Sequence, residues 1–380
     1  MVSENKIRSK VKRAILISTI SLFSLFSFGQ KIHLGSCTTS DGGQYQGEMS
    51  GSKPHGKGTC LYDNGDSYEG EYKKGYRDGY GIYTFADGEK YDGQWFKNQQ
   101  HGKGTFYFLN NNRYEGLWYK DVQEGHGVMV YYNGDVYDGQ WSKDKRNGKG
   151  KYTFAGGASY EGSWKDDMKN GHGVFIWKDG SRYEGQWVNN MKEGKGTYNF
   201  PNGDCYTGFW KADKMNGKGI YKYSDGEVYE GEYLDDKKTG QGIFRYKNGD
   251  SYSGHFLNGE KSGYGTMTWA SGDIYQGYWE KDLQNGQGKL TKANKDVYEG
   301  QFRDGAVEGL VIIHYGDGSK FRGDYHKGER NGKAVEQSKD GKRFEGSYRY
   351  GVRDGAFIER DANGQITARG RYEGGRRIVE

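Results

Sequence analysis

A glycine-lysine segment and a set of histidines are the parts of this sequence whose residue types could support chemistry. The segment Gly56-Lys57-Gly58-Thr59 has the composition of a phosphate-binding loop. It lacks the Gly-x-x-x-x-Gly-Lys-Ser/Thr spacing of that loop, and the same unit recurs along the chain, which favours a structural role. The eight histidines are spread along the chain, with no spacing that would bring a zinc ligand set together.

Nucleophilic catalysis is equally poorly supported by the sequence. No serine or cysteine can be assigned a histidine and a carboxylate at spacings that would form a catalytic group. The three cysteines are expected to be free thiols, because their positions in the sequence would place them too far apart for a disulfide. We therefore expect a protein that is not an enzyme and that has no catalytic, cofactor-binding or metal-binding residues.

The composition limits what kind of core could position any site. Glycine accounts for 66 of the 380 residues and tyrosine for 34, whereas proline accounts for only 2. The mean hydropathy of -1.06 would be typical of a disordered chain, but the aromatic fraction of 16% argues against disorder. The core must therefore consist of aromatic rings packed on glycine.

An aromatic residue recurs every 23 positions, which is typical of a repeat architecture. Each repeat reads Tyr-x-Gly-x-Trp, a six-residue connector, Gly-x-Gly-x-aromatic-x-aromatic and a turn. The fourteen starting positions are Tyr45, Tyr68, Tyr91, Tyr114, Tyr137, Tyr160, Tyr183, Tyr206, Tyr229, Tyr252, Tyr275, Tyr298, Phe321 and Phe344.

This pattern resembles the MORN (membrane occupation and recognition nexus) repeat from Tyr45 to about Tyr348. The resemblance implies an all-β fold, an elongated, twisted antiparallel sheet of tandem 23-residue β-hairpins. It also implies a role in binding or assembly, without naming a ligand. MORN segments occur in some lipid kinases, but this sequence has no kinase motif.

The residues themselves predict the same sheet. Alternate strand residues share a face, so Tyr91, Gly93 and Trp95 point the same way. The Asn-Gly and Asp-Gly turns predict hairpins, and a three-residue loop with glycine in the left-handed region keeps all aromatic columns on one face. If the six-residue connector places Trp95 opposite Gly102, then Gly93 lies opposite Gly104.

This register predicts a continuous row of glycines on the aromatic face. Rings from both sides should fold over the row, and the sheet should curl along it. The opposite face carries columns of acidic residues and lysines, and we expect cross-strand pairs there such as Gln94 with Lys103. The Asp, Asn and Gly residues of the connector are interpreted as turn residues with positive φ rather than calcium ligands.

The first residues form a separate segment. A basic stretch from Lys6 to Arg13 precedes an apolar run from Ala14 to Phe28, which predicts a signal peptide over residues 1–29. An uncleaved N-terminal anchor is the alternative. We further predict a half-repeat cap at 30–44, fourteen tandem repeats at 45–366 and a degenerate half-repeat cap at 367–380.

The predicted location is outside the cytoplasm: periplasmic, cell-surface or secreted, or membrane-anchored if the signal is retained. Without residues 1–29 the chain has 51 basic and 50 acidic residues, so no net field attracts nucleic acid. We expect a non-catalytic scaffold of the cell envelope that binds a protein partner or a second copy. Association with a membrane surface or phospholipid is the alternative, which the family resemblance implies.

The partner-binding surface is expected on the aromatic face, at the outermost aromatic position of each repeat. Packing of the same rings on one another as core is the competing interpretation. The candidate residues are Phe154, Trp177, Phe200, Tyr223, Tyr246 and Trp269.

Overall fold

The computed structural model describes residues 31–378. Within that range the chain forms 32 β-strands and no helix. Each strand pairs antiparallel with the next along the chain, except that the short strand Val352–Arg353 and the strand after it, Gly355–Arg360, both pair with Arg343–Arg349. All of the strands form a single open sheet. The predicted all-β sheet of tandem hairpins is therefore confirmed, whereas the predicted signal peptide lies outside the described residues.

The strands alternate between seven and nine residues through most of the sheet. Their bounds are β1 Ile32–Thr38, β2 Gln44–Ser50, β3 Lys53–Leu61, β4 Ser67–Lys73, β5 Tyr76–Thr84, β6 Lys90–Phe96, β7 Gln99–Tyr107, β8 Arg113–Tyr119, β9 Val122–Val130, β10 Val136–Ser142, β11 Lys145–Thr153, β12 Ser159–Lys165, β13 Met168–Ile176, β14 Arg182–Val188, β15 Met191–Asn199, β16 Cys205–Lys211, β17 Lys214–Lys222, β18 Val228–Leu234, β19 Lys237–Arg245, β20 Ser251–Leu257, β21 Glu260–Thr268, β22 Ile274–Glu280, β23 Leu283–Thr291, β24 Val297–Arg303, β25 Ala306–His314, β26 Lys320–His326, β27 Glu329–Gln337, β28 Arg343–Arg349, β29 Val352–Arg353, β30 Gly355–Arg360, β31 Ile366–Glu373 and β32 Arg376–Ile378.

The turn that contains Asn-Gly or Asp-Gly is the three-residue loop that was predicted. Between β5 and β6 the Phe85 N–H donates to the Glu89 carbonyl at 2.9 Å, and the Gly88 N–H donates to the Phe85 carbonyl at 3.0 Å. Gly88 has a φ of +98°, which a residue with a Cβ rarely adopts. Because the loop has an odd number of residues, the aromatic residues of the two strands that it joins point to the same face of the sheet.

The connector within each repeat differs from the prediction. Phe96 pairs with Gln99, so the turn between β6 and β7 is only two residues long, and both of them, Lys97 and Asn98, have positive φ. Trp95 consequently pairs with Gln100 and not with Gly102. The two extra residues of the nine-residue strand are absorbed by a bulge, which the sequence pattern did not show.

The bulge is closed by hydrogen bonds from both faces of the sheet. The hydroxyl of Tyr91 donates to the Gln94 carbonyl at 2.9 Å. From the opposite face, the Gln94 side-chain oxygen accepts from the Lys103 backbone N–H at 2.8 Å. The expected side-chain pair of Gln94 and Lys103 is therefore wrong, because the amide is used to satisfy the bulged backbone.

The glycine row lies where it was predicted. Gly93 pairs with Gly104, which pairs with Gly116 on its other side. A Cβ added to Gly104 would lie 2.3 Å from the hydroxyl oxygen of Tyr91, and that tyrosine is fully buried. The rings thus fold over the glycines, and they can do so only because the row has no side chains.

Tryptophan links the tyrosines of successive repeats. The ring of Trp118 lies 5.4 Å from that of Tyr91 and 5.2 Å from that of Tyr114, edge to face in both cases. Its indole N–H donates to the Gly104 carbonyl at 3.2 Å. Edge-to-face packing of this kind adds to the free energy gained by burial alone, so the core is a ladder of alternating Tyr and Trp rings.

The second residue of each two-residue turn clamps one repeat to the preceding one. Asp121 has a φ of +68°, as expected for this column. Its N–H donates to the Gln100 carbonyl at 3.1 Å, and its carboxylate accepts from the Gln100 N–H at 2.7 Å. Equivalent side-chain bonds are made by Asn98, Asp144, Asp167, Asn190, Asp213, Asp236 and Asp282.

The last repeats have a different core. Val311, Ala334 and Phe357 replace the second glycine of the Gly-x-Gly pair, and all three are buried in a separate apolar cluster. Gly323 still pairs with Ala334, so the register continues through the change. The sheet then ends with the hairpin of β31 and β32.

Candidate functional site

The six predicted partner-binding residues lie side by side along one edge of the aromatic face. We call Phe154, Trp177, Phe200, Tyr223, Tyr246 and Trp269 the outer ring row. Each of them is half-buried and packs against the buried core. The structure therefore brings the whole set together and leaves part of every ring accessible.

The outer rings are held by inner rings on either side. The ring of Trp177 lies 4.4 Å from that of Phe175 in its own repeat and 5.3 Å from that of Tyr198 in the next. Tyr223 repeats the arrangement, at 4.5 Å from Tyr221 and 5.8 Å from Phe244. These contacts within the chain hold the outer rings in place without a bound partner.

A row of half-buried cations lies on the same face, and the sequence reasoning missed it. The charged groups of its members stand over the tryptophan or phenylalanine rings. The distances to the ring centroids are 4.5 Å for Arg146 over Trp164, 4.0 Å for Lys169 over Trp187, 4.1 Å for Lys192 over Trp210, 4.5 Å for Lys238 over Phe244 and 4.9 Å for Lys261 over Trp279. The signal was present in the sequence, because these five residues, the cation row, share one position of the 23-residue repeat.

The electrostatics of the cation row depend on the neighbouring turn residue. Arg146 pairs with Asp167 at 3.0 Å, whereas Lys169 has the neutral Asn190 at the equivalent position. Burial over the rings lowers the pKa of Lys169 from 10.5 to about 8. Burial also lowers the pKa values of Lys192, Lys238 and Lys261.

Within residues 31–378, three of these lysines have carboxylates nearby but form no ion pair with them. Lys261 lies 4.0 Å from Asp282, but in residues 31–378 no carboxylate oxygen comes within 4.0 Å of the ammonium groups of Lys169, Lys192 or Lys238. Cation–π contacts stabilise such groups by about 0.5–2 kcal/mol. They do not neutralise the charge, so the aromatic face presents positive groups that an anion could still approach.

An open recess occurs on the aromatic face nearer to the N-terminus than the outer ring row. It has a volume of about 880 Å³, and Phe106, Trp118 and Trp141 contribute to its lining. Gln100 and Gln123 line it at the position that the cations occupy elsewhere. Phe85, Phe108 and Tyr131 also line it, and they share the repeat position of the outer ring row.

The opposite face carries charges of both signs and some exposed rings, such as Tyr264 and Tyr278. His126 lies 2.9 Å from Asp138, and Arg113 lies 3.6 Å from Glu115, all of them well exposed to solvent. A recess of about 580 Å³ on this face is lined by Lys218, Glu230 and Glu232 among others. We call this surface the charged face.

Within residues 31–378, no three His, Cys, Asp or Glu side chains come together as a potential metal site. The same residues include no helix that is long and apolar enough to cross a membrane. Inside this range, the tyrosine hydroxyls with the most raised pKa values owe the increase first to burial.

Comparison with known families identifies the repeat. The MORN repeat matches thirteen consecutive segments of 23 residues each, from residue 45 to residue 343. No curated protein matches the chain.

Three solved structures align with part of this chain at low identity. The SAS-4 (dCPAP) TCP domain of Drosophila melanogaster, solved in complex with a proline-rich motif of Ana2, has 20% identity and a TM-score of 0.26 over 41% of this chain and 85% of its own. The G-box domain of the microcephaly protein CPAP has 15% identity and a TM-score of 0.30 over 47% and 93%. Virginiamycin B lyase from Staphylococcus aureus has 10% identity and a TM-score of 0.14 over 75% and 97%. With TM-scores this low, none of the three bears on function.

Proposed function

Because this chain belongs to the MORN repeat family, we propose that it is a non-catalytic repeat scaffold that binds a protein partner on its aromatic face. The observation that carries the proposal is the outer ring row, in which every ring keeps part of its surface accessible. Six partly accessible rings in one line form a continuous apolar strip, whereas single apolar residues scattered on a surface need no explanation.

The row is suited to binding because its rings are already ordered. The ring centroid of Tyr246 lies 4.4 Å from that of Phe244, and that of Phe200 lies 4.5 Å from that of Tyr198. A partner that covers these rings gains apolar contact without the entropic cost of immobilising flexible side chains. Aromatic residues held in this way are the usual anchors of protein interfaces.

The charged face supports the proposal less well. Its ionic side chains are exposed, and exposed ion pairs contribute little free energy to association. The near-neutral charge of the chain without residues 1–29 also favours a specific partner over electrostatic recruitment to an anionic membrane. We place the scaffold in the cell envelope, on the basis of the predicted signal peptide.

A face-specific crosslinking experiment tests this function. A photoreactive phenylalanine analogue replaces Phe200 in the outer ring row or Glu161 on the charged face, and the protein is irradiated in its native host. We expect a discrete protein adduct from position 200 that position 161 does not give. Purified partner should then bind Trp177→Ala and Trp269→Ala variants about 1–4 kcal/mol more weakly.

The control is the triple variant Glu115→Lys, Asp138→Lys and Glu161→Lys, which should bind the partner normally. Affinity that ignores both tryptophans but collapses in this triple variant would place recognition on the charged face. Sedimentation with phosphatidylserine vesicles provides the remaining comparison. If the vesicles bind and no protein adduct forms, the membrane alternative replaces the proposal.

A further inference from the structure

The cation row and the outer ring row repeat with the spacing of the hairpins. Equivalent residues such as Lys169 and Lys192 are 23 positions apart and lie two strands apart in the sheet. Two strand spacings amount to roughly 9.6 Å. A partner that uses several repeats in the same way must therefore present equivalent groups at this interval.

Few peptide conformations meet that requirement. A β-strand turns successive side chains to opposite faces, so its one-sided repeat is roughly 6.6 Å. A polyproline II helix has three residues per turn and a rise of about 3.1 Å per residue, which gives a one-sided repeat of roughly 9.3 Å. Every third residue of such a helix faces the same side, and the distance between these residues nearly equals the distance between equivalent residues of successive hairpins.

The two rows are close enough to be contacted by one such helix. The Lys238 ammonium lies 5.9 Å from the ring centroid of Tyr223, and that of Lys261 lies 6.0 Å from the ring centroid of Tyr246. Proline-rich segments dock against aromatic surfaces because their conformation is already fixed. Carboxylates are the side chains that complement the half-buried ammonium groups.

From this match we infer that the aromatic face binds a polyproline II segment whose every third residue faces the cation row and is acidic wherever it meets a lysine. The inference rests on the proposed function and specifies the partner's chemistry. Met215 interrupts the lysines between Lys192 and Lys238, so the third contact position should be apolar. The contact pattern is acidic, acidic, apolar, acidic, acidic, and because it is symmetric it suits either chain direction.

A synthetic peptide makes the test direct. The probe is fluorescein-labelled Glu-Pro-Pro-Glu-Pro-Pro-Leu-Pro-Pro-Glu-Pro-Pro-Glu, and its binding to the full chain is followed by fluorescence anisotropy. We expect saturable binding that the double variant Lys169→Gln and Lys192→Gln weakens roughly tenfold or more. Glutamine occurs naturally at this repeat position as Gln100 and Gln123, so the variant should fold, which a urea transition checks.

Two control peptides separate geometry from charge. In the first control peptide every proline is replaced by glycine, which keeps the charge but removes the preference for the polyproline II conformation. In the second the glutamates are four residues apart, so that their spacing no longer matches that of the hairpins. Both should bind roughly tenfold more weakly. The inference is overturned if the probe does not bind, if the double variant binds it equally, or if either control peptide binds as well as the probe.

Failure of the peptide test can be distinguished from failure of the proposed scaffold function. If the probe fails while the partner crosslinks to position 200 and depends on Trp177, the scaffold function stands and only the predicted partner conformation is wrong. If the probe does not bind and no partner crosslinks to position 200, both the scaffold function and the predicted partner conformation are wrong. Binding of phosphatidylserine vesicles that requires Lys169 and Lys192, without binding of the probe, would assign the cation row to a membrane instead.

Discussion

The hydroxyl of Tyr91 lies 2.9 Å from the carbonyl oxygen of Gln94 and donates a hydrogen bond to it. Ten other repeats contain the same bond from their first tyrosine to the carbonyl three residues later. The first residue of each repeat thus performs two tasks. Its ring covers the glycine row, and its hydroxyl satisfies the carbonyl that the bulge leaves without a ladder partner.

Replacing Tyr91 by phenylalanine should therefore destabilise the sheet although ring packing is kept. We expect a loss of about 1 kcal/mol in the free energy of unfolding, the usual value of one hydrogen bond, as measured by urea denaturation. Phe321 and Phe344 occupy this position naturally, so the ring itself is tolerated. An unchanged transition would mean that solvent satisfies the Gln94 carbonyl.

The glycine row should be intolerant of side chains. In Gly104→Val the new Cβ would lie 2.3 Å from the Tyr91 hydroxyl oxygen, and overpacking of this kind costs about 1–3 kcal/mol. Lys149→Val, at an exposed position of the charged face, is the matched control and should change stability little. Equal shifts in the two thermal transitions would contradict the described packing.

The inter-repeat clamp can be tested at Asp121. Alanine there loses the bond to the Gln100 N–H and must adopt a φ of +68° without compensation, so Asp121→Ala should lower stability by about 1–2 kcal/mol. Asp121→Asn should be close to neutral, because Asn98 and Asn190 make the same bond. Urea denaturation midpoints of the two variants and the unaltered chain measure this difference. If Asp121→Asn loses as much stability as Asp121→Ala, the effect comes from the charge of Asp121 and not from its hydrogen bond.

The pH dependence of stability should change sign near pH 10. Lys169 has a pKa of about 8 in the folded chain against 10.5 ordinarily, so the unfolded chain binds more protons between these values and stability rises with pH. The pKa of Tyr206 is raised from 10 to about 12 by burial, so its contribution is present below pH 10 and lost as the pH rises towards 12.

Urea midpoints at pH 7.5, 9.5 and 11 would measure both effects. The variant Lys169→Gln should show a smaller rise between pH 7.5 and 9.5 and the same loss at pH 11. A rise as steep as that of the unaltered chain would exclude Lys169 as its source, and Lys192, Lys238 and Lys261 would remain as candidates.

Export predicts a shortened chain in the native host. If residues 1–29 are a signal peptide, the mature N-terminus lies near Gln30, and intact-mass spectrometry of the protein isolated from that host would measure it. A mass that retains Met1 through Phe28 would favour the N-terminal anchor instead.

Much of the fold could be predicted because the 23-residue period limits the number of residues in the turns and determines which face of the sheet each side chain points to. The three-residue loop, the pairing of Gly93 with Gly104 and the buried tyrosines all followed from alternation and from the Asn-Gly and Asp-Gly turns. The two-residue turn did not follow, since Lys97 and Asn98 give no strong signal for two successive positive φ values. That turn is stabilised from outside, because the Asn98 side chain bonds to the Arg77 N–H of the preceding repeat at 2.7 Å.

The candidate surface was also only partly predictable. The outer ring row could be listed from aromatic spacing, but the cation row could not, because lysine in a strand of a polar chain is normally taken as a solvated residue. Only the structure shows that the Lys169 side chain extends across Trp187 instead. Periodic lysines that follow a tight turn by two residues are the signal to look for.

The open, sequential order of the strands has a mechanical consequence. The hydrogen bonds between strands run along the length of the sheet, so a force that separates β1 from β32 acts on all strand pairs in series, and the pairs break one after another rather than all together. Each repeat adds roughly 9.6 Å to the folded length but up to roughly 76–83 Å when its 23 residues are extended. Under tension the chain would therefore lengthen in discrete steps from its ends, behaving as an extensible tether whose reach is set by the number of repeats.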